Sequence, residues 1–224
     1  MNKEQYKDKT ILVVFPHPDD EAFAAAGTLA MYIEGGAKVT YACLTLGEMG
    51  RNMGIPPFAN RVTLPQIRKK ELEESVKAIG IQDLRMLGFH DKMVEFEDPK
   101  RLQDIITDLL NEVKPALVIT FYPGYSVHPD HDATGAAVIS AISDLPATHR
   151  PTVHCVAFSN NHEQAIGKPD IVMNVETVIG KKMKAIQAHR SQFQAAELVG
   201  NQTIDTQQSL QRFGREPFWT YRFE

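Results

Sequence analysis

Ile11-Leu12-Val13-Val14-Phe15 runs without a break into Pro16-His17-Pro18-Asp19-Asp20-Glu21. A short, continuous apolar run of this kind predicts a strand buried on both faces, as in a parallel sheet. A helical stretch is expected from near Asp20 to Gly35-Gly36, then a second strand at Val39 to Leu46. Farther along, Leu117 to Tyr122 (LVITFY) predicts another buried strand, ending at Pro123-Gly124. Helices are expected over Pro65–Gly80, Pro99–Val113 and Asp130–Ser143, with a third strand at Leu84–Phe89. In the second of these helices Leu102, Ile105, Ile106, Leu109, Leu110 and Val113 keep the helical period closely. Late strands are expected at Thr152–Ser159 and Ile171–Val175, and a late helix at Glu176–Phe193. FWTYRF, 218–223, reads as an edge strand or a tail.

Alternating strands and helices imply an α/β fold, Rossmann-like, with three α/β/α layers around a mostly parallel sheet. With 224 residues, one domain over 1–224 is expected. Ligands in such sheets bind beyond the C-terminal strand ends. The segment from Gly47 to Asn60 is rich in Gly and Pro and has no period, so it reads as a long loop of the kind that carries function.

Composition narrows the function classes. Hydrophobic residues at 43% and charged residues at 23% describe an ordinary folded chain. Cys43 and Cys155 sit in apolar runs and read as core thiols, so neither a disulfide framework nor a cysteine zinc finger is expected. The N-terminus lacks an apolar signal core and no stretch approaches a membrane span, which points to the cytoplasm. The formal net charge of -4, without a dense Lys/Arg run, argues against nucleic acid and against membrane as partners.

The chemistry concentrates in two places. His17-Pro18-Asp19-Asp20-Glu21 packs three carboxylates beside one imidazole, and adjacent carboxylates repel unless a cation or protons offset them. Zinc takes His nitrogen and carboxylate oxygen, and a catalytic site uses three protein ligands with one position left for water. His17 and Asp20 have a spacing that a tight turn folds onto one ion. His128-Pro129-Asp130-His131, after the LVITFY strand, can supply the third ligand. Asp19 would then be free to take a proton, and His128, oriented by Asp130, would meet an oxyanion. Taken singly, each motif has a bland reading: acids suit a helix N-terminus, and a His-Pro pair means little. Together, each at the end of an apolar strand, they point to a site. A nucleotide site is disfavoured, because no glycine-rich loop follows the first strand and the acids there repel phosphate.

This pair of motifs resembles the LmbE/PIG-L-type zinc de-N-acetylases, which act on N-acetylglucosamine derivatives. Thr45-x-Gly47-Glu48-x-Gly50, Arg68-x-x-Glu71 and Gly88-Phe89-His90-Asp91 extend the likeness over most of the chain. The resemblance implies one Zn2+ per chain on His17, Asp20 and His131, with Fe2+ or another divalent metal as an alternative occupant. It further implies Asp19 as general base, His128 as stabiliser of the tetrahedral intermediate with Asp130 behind it, and Arg68 and Asp91 as sugar contacts. Glu48 falls in a motif that lines the site. Relatives often carry a tyrosine close before the second His motif; here Tyr125 stands three residues before His128, open to an oxyanion role or a packing role.

Within the family, the GEMGRNMG loop (47–54) and Lys184-x4-His189-x-Ser191-Gln192 look most like the bacillithiol-biosynthesis branch, which deacetylates an N-acetylglucosaminyl malate. Arg51 then reads equally as a malate-carboxylate partner or as an exposed loop residue. His189 reads as a helical residue, packed or exposed, with a site role open. His149, His154 and His162 read as surface or core residues. The expected partner is a small N-acetyl amino sugar. The alternatives are another small N-acyl amino sugar, a thiol S-conjugate or, in a different class, a non-enzymatic sugar or nucleotide binder. The apolar 218–223 segment packs either on its own domain or on a neighbouring copy, which leaves a homo-oligomer open.

Overall fold

Seven strands form one sheet in the computed structural model, which describes residues 7–193 and 206–223. In chain order they are β1 (Thr10–Phe15), β2 (Lys38–Thr45), β3 (Asp83–Phe89), β4 (Leu117–Phe121), β5 (Thr152–Val156), β6 (Ile171–Asn174) and β7 (Arg215–Thr220). Their order across the sheet is β3-β2-β1-β4-β5-β7-β6. The first five are mutually parallel, and β7 runs antiparallel to both β5 and β6. The expected mostly parallel α/β fold is what the chain adopts.

From β1 the chain steps outward through β2 to β3, then returns to place β4 on the other side of β1. The order therefore reverses between β1 and β4, and a crevice opens there at the C-terminal strand ends. Val13 pairs with Ile119, and that register sets Phe15 level with Phe121, whose rings lie 4.7 Å apart. Both motifs thus leave the sheet at the same height.

Side chains alternate across the sheet, so each strand feeds two cores. Ile11, Val13 and Phe15 face α1 (Asp20–Ala24), α2 (Ala26–Glu34), α3 (Leu64–Ile79) and the later α7 (Ile179–Ala188). Leu12 and Val14 face α4 (Pro99–Val113) and α5 (Pro129–Ser143). Asp98 caps α4, accepting from the Lys100 N–H at 2.9 Å, and Pro99 opens it, as its local sequence dictates. A short α6 (His162–Ile166) and a late α8 (Thr206–Phe213) complete the helices of the described residues.

Three expectations change. The helix expected over 20–36 breaks at Ala25 into α1 and α2. No local side chain caps the restart; instead the Glu216 carboxylate of β7 accepts from the Gly27 and Thr28 N–H groups at 2.9 and 2.7 Å. Lys182 of α7 pairs with Glu216 at 2.6 Å, so this buried clamp ties three distant segments together. The helix expected over 176–193 is a 3-10 turn (Glu176–Val178) followed by α7, which stops at Ala188. Beyond it, residues 189–192 turn back toward the site. In the 218–223 segment, Phe218 to Thr220 are not an edge strand: β7 lies between β5 and β6, with Phe218 and Trp219 buried in their own chain, and 221–223 follow outside any strand. Pro217 is tolerated there because β5 pairs only with Trp219 and Thr220.

Candidate metal and catalytic site

Pro16 and His17 continue β1 into a tight turn. The Pro16 carbonyl accepts from the N–H and the hydroxyl of Thr45, both at 2.9 Å, which pins the turn to the end of β2. The His17 N–H donates to Asp20 Oδ2 at 2.9 Å and the Asp20 N–H returns to the His17 carbonyl. Between them Asp19 adopts φ 105°, a left-handed conformation that a non-glycine residue reaches only at a cost. Consecutive aspartates are thereby turned apart. Asp20 faces the imidazoles, and Asp19 faces Arg68, whose Nη2 donates to its Oδ2 at 2.8 Å.

Three donors converge from the two motifs. His17 Nδ1 lies 3.1 Å from His131 Nε2; Asp20 approaches His131 Nε2 at 3.3 Å and His17 Nδ1 at 3.6 Å. Donors on a tetrahedral ion with bonds near 2.0 Å stand about 3.3 Å apart. The second nitrogen of each ring is already engaged. His17 Nε2 faces Asp130 Oδ2 and Asp91 Oδ1, each at 3.2 Å, and His131 Nδ1 faces the Ser126 carbonyl at 3.1 Å. Acceptors at those positions place the N–H there and leave His17 Nδ1 and His131 Nε2 as lone-pair donors toward one point. This donor set fits a divalent metal. Phe121 stacks flat on the His131 ring, with centroids 4.0 Å apart, and fixes its orientation.

The carboxylates crowd the imidazoles with negative charge that either a proton or a cation offsets. Burial opposes a proton on His17, but the Asp130 and Asp91 carboxylates outweigh it and push its pKa up to about 10. Burial would raise Asp20, yet His131 and His17 hold it below the usual carboxylate range. Asp19 behaves otherwise: burial raises it to about 6, although Arg68 pulls the other way. A carboxylate near neutrality suits a group that takes and returns a proton.

His128 caps α5, its Nδ1 accepting from the Asp130 N–H at 3.2 Å, so Nε2 carries its proton. Burial, then the neighbouring His17 and His131, lower its pKa. Its ring stands 4.8 Å from that of His17. A cavity of about 310 Å³ opens above these groups, lined by His17, Asp19, Asp20, His128, His131 and Arg68, with Arg51, Lys92 and Gln192 among the other walls.

The other singled-out residues take places that sequence alone does not assign. The Asp130 carboxylate reaches His17 and the Lys92 N–H, not His128, which meets only its backbone. Asp91 is 6% exposed, lines the cavity and divides its oxygens between His17 and the Met49 N–H, so it braces an imidazole from the cavity wall. Arg68 is 3% exposed and grips Asp19, the Pro18 carbonyl and the Gly47 carbonyl. Gly47 has φ 62°, and a Cβ there would collide with that guanidinium. Glu48 turns from the cavity to the Asp91 N–H at 3.0 Å and His90 at 3.2 Å. Tyr125 packs on Tyr122 and is absent from the cavity wall, which favours its packing role. Arg51 lines the cavity, exposed and without a hydrogen-bond partner among the described residues.

Sequence reading missed several groups. Glu21 and His189 are both fully buried and paired at 2.8 Å. Glu71 accepts from the Ser191 N–H and hydroxyl, both at 2.7 Å. Gln192 exchanges hydrogen bonds with the Asn52 backbone and side chain, and so ties the 47–60 loop to the turn after α7. The signal was present: Arg68-x-x-Glu71 and His189-x-Ser191-Gln192 are two halves of one contact. His154 is buried on β5, and burial lowers its pKa to about 4; it is a core residue as expected.

A parallel sheet whose switch point gathers two imidazoles and a carboxylate, with a second carboxylate beside them, defines a class of α/β proteins with a candidate metal site. The comparisons narrow the class. The GlcNAc-PI de-N-acetylase (PIG-L) family matches residues 12–142, and the chain belongs to that family. It is 50% identical to the "Probable N-acetyl-alpha-D-glucosaminyl L-malate deacetylase 2" of Bacillus cereus, over 97% of this chain and 100% of the relative. The protein of the same name in Bacillus subtilis is 46% identical, over 95% and 97%. Among solved structures, N,N'-diacetylchitobiose deacetylase from Pyrococcus horikoshii, complexed with an inhibitor, aligns with a TM-score of 0.73 at 25% identity, over 95% of this chain and 84% of that one.

Proposed function

We propose that this chain is a zinc-dependent hydrolase that removes the acetyl group from the nitrogen of N-acetylglucosaminyl malate, releasing acetate and a free amine, in cytoplasmic bacillithiol biosynthesis. The observation that carries the proposal is the convergence of His17 Nδ1, Asp20 and His131 Nε2 with Asp19 left beside them. The names of relatives near 50% identity over almost the whole chain support the substrate. Among the described residues no helix is long and apolar enough to cross a membrane.

His17, Asp20 and His131 would hold the metal; when bound it supplies Lewis acidity that activates water and polarises the acyl carbonyl. Asp19 accepts the proton of the attacking water and returns it to the departing nitrogen. Arg68 holds the Asp19 carboxylate in place for both transfers. His128, with its proton on Nε2, donates to the oxyanion as charge builds there. Asp130 and Asp91 hold the His17 ring and raise its basicity. Arg51, at the cavity wall and without a hydrogen-bond partner among the described residues, meets a malate carboxylate, and a guanidinium–carboxylate pair there favours an anionic aglycone.

The test is a free-amine assay on metal-loaded protein, comparing N-acetylglucosaminyl malate with free N-acetylglucosamine. A clear preference for the malate glycoside is expected. Equal rates on the two would remove the aglycone from the proposal, and tight sugar binding without turnover in the presence of divalent metal would remove the enzyme.

A further inference from the structure

Glu21 closes the first motif but touches neither the cavity nor the metal donors. It is fully buried, and its two oxygens face four donors from four parts of the chain. Oε1 accepts from the Ser75 hydroxyl of α3 and from His189 Nε2, just past α7, at 2.8 Å. Oε2 accepts from the Tyr41 hydroxyl of β2 at 3.3 Å and from the Asp19 N–H at 3.1 Å. A buried carboxylate needs partners of this kind, but simple satisfaction does not require that one of them be the backbone of the residue at φ 105°. A left-handed non-glycine residue at a site persists only where its surroundings over-determine it. Arg68 holds Asp19 by its carboxylate, and Glu21 holds it by its N–H.

From this geometry we infer that Glu21 and His189 form a positioning pair that locks the Asp19 backbone in its left-handed conformation and so aims the Asp19 carboxylate at the reacting water. The inference rests on the reading of Asp19 as the base. His189 acts at a distance: its Nε2–H fixes Oε1, which leaves Oε2 directed at the Asp19 N–H. Ser75 shares the task on Oε1. The motif's final acid is thus a brace for its third residue, and the turn after α7 enters the site through that brace.

His189→Leu, His189→Gln and Ser75→Ala test this, each read for metal content, melting temperature, kcat per metal-loaded site and KM. His189→Leu is expected to lower kcat by about tenfold or more, the range for supporting groups behind a site, while KM and metal content hold. His189→Gln keeps an N–H within reach of Glu21 and should recover most of the rate. Ser75→Ala, a smaller change, should lower kcat in the same way but less, and it serves alone if His189→Leu does not fold. A purely structural pair would lower the melting temperature and leave kcat per metal-loaded site at the wild-type value in both variants; that result overturns the inference. Asp19→Asn is run alongside. Retained rate in that variant would overturn the base itself and this inference with it, whereas lost rate there with unchanged kcat in the His189 and Ser75 variants overturns the inference alone.

Discussion

The turn after β1 and the turn after β4 spell nearly the same word, His17-Pro18-Asp19-Asp20 and His128-Pro129-Asp130-His131, but divide the labour differently. In the first, the leading histidine offers a lone pair to the candidate metal point and the third residue, Asp19, is turned away from it and held by Arg68. In the second, the leading histidine caps a helix, the last residue offers the lone pair, and the third residue, Asp130, is buried behind the other motif's histidine. The difference comes from backbone context. Asp19 precedes its helix in a left-handed conformation held by Arg68 and Glu21. Asp130 lies inside the first turn of α5, where the Lys92 and Glu95 N–H groups fix its oxygens. Each motif is incomplete alone: one lacks a second imidazole, the other lacks a carboxylate at the metal point.

Breaking the convergence itself should have the largest effect. His131→Ala removes the only contribution of the second turn to the donor trio, and metal content by elemental analysis should fall toward background, taking the rate with it. Asp19→Asn strikes the member of the first turn that lies outside the donor trio. Metal content should hold while kcat falls about 10²- to 10⁴-fold, the usual worth of a positioned base. Asp130→Asn separates the two accounts of that residue. Behind His17 it should weaken metal affinity about 10- to 100-fold in a chelator competition. Unchanged affinity with reduced kcat would return Asp130 to His128.

Smaller effects lie at the rim. Arg51→Gln should raise KM for the malate glycoside by about threefold to tenfold, as loss of an exposed charge-assisted contact implies, and leave free N-acetylglucosamine unaffected. The smallest effect concerns strain. Val127, in the second turn, also sits at positive φ, 65°, although it is β-branched and exposed. Val127→Gly should therefore add about 1 kcal/mol of stability, a rise of roughly 2–4 °C in a thermal melt. The corresponding relief at Asp19 cannot be had without losing its carboxylate. No rise at Val127 would mean that the left-handed turn is less costly than its residue type implies.

The strands and most helices were legible because their causes are local. ILVVF and LVITFY can be satisfied only by burial on two faces, and Pro99–Val113 carries its own period and cap. The break at Ala25 was not legible, since its cap is a carboxylate 189 positions away from Gly27. Nor was the interior place of β7, which depends on β6 arriving to cover its outer edge. In the site, the two turns bearing histidine and aspartate announce themselves by residue type and by their place after apolar strands. Glu21 and His189 do not, because a lone acid at a helix start and a lone histidine near a helix end each have an ordinary reading until they are seen 2.8 Å apart.

By itself the chain's order of residues determined that two histidine- and aspartate-bearing turns would emerge at the ends of buried parallel strands, since hydrophobic burial and backbone hydrogen bonding act on neighbours along the chain. Only the tertiary structure decided which carboxylate faces which imidazole. One of those pairings joins His17 to Asp130, 113 positions apart. Such pairings depend on approach to within about 3 Å at buried positions, where a hydrogen bond forms only at a narrow distance and angle. No pattern along the chain records that distance.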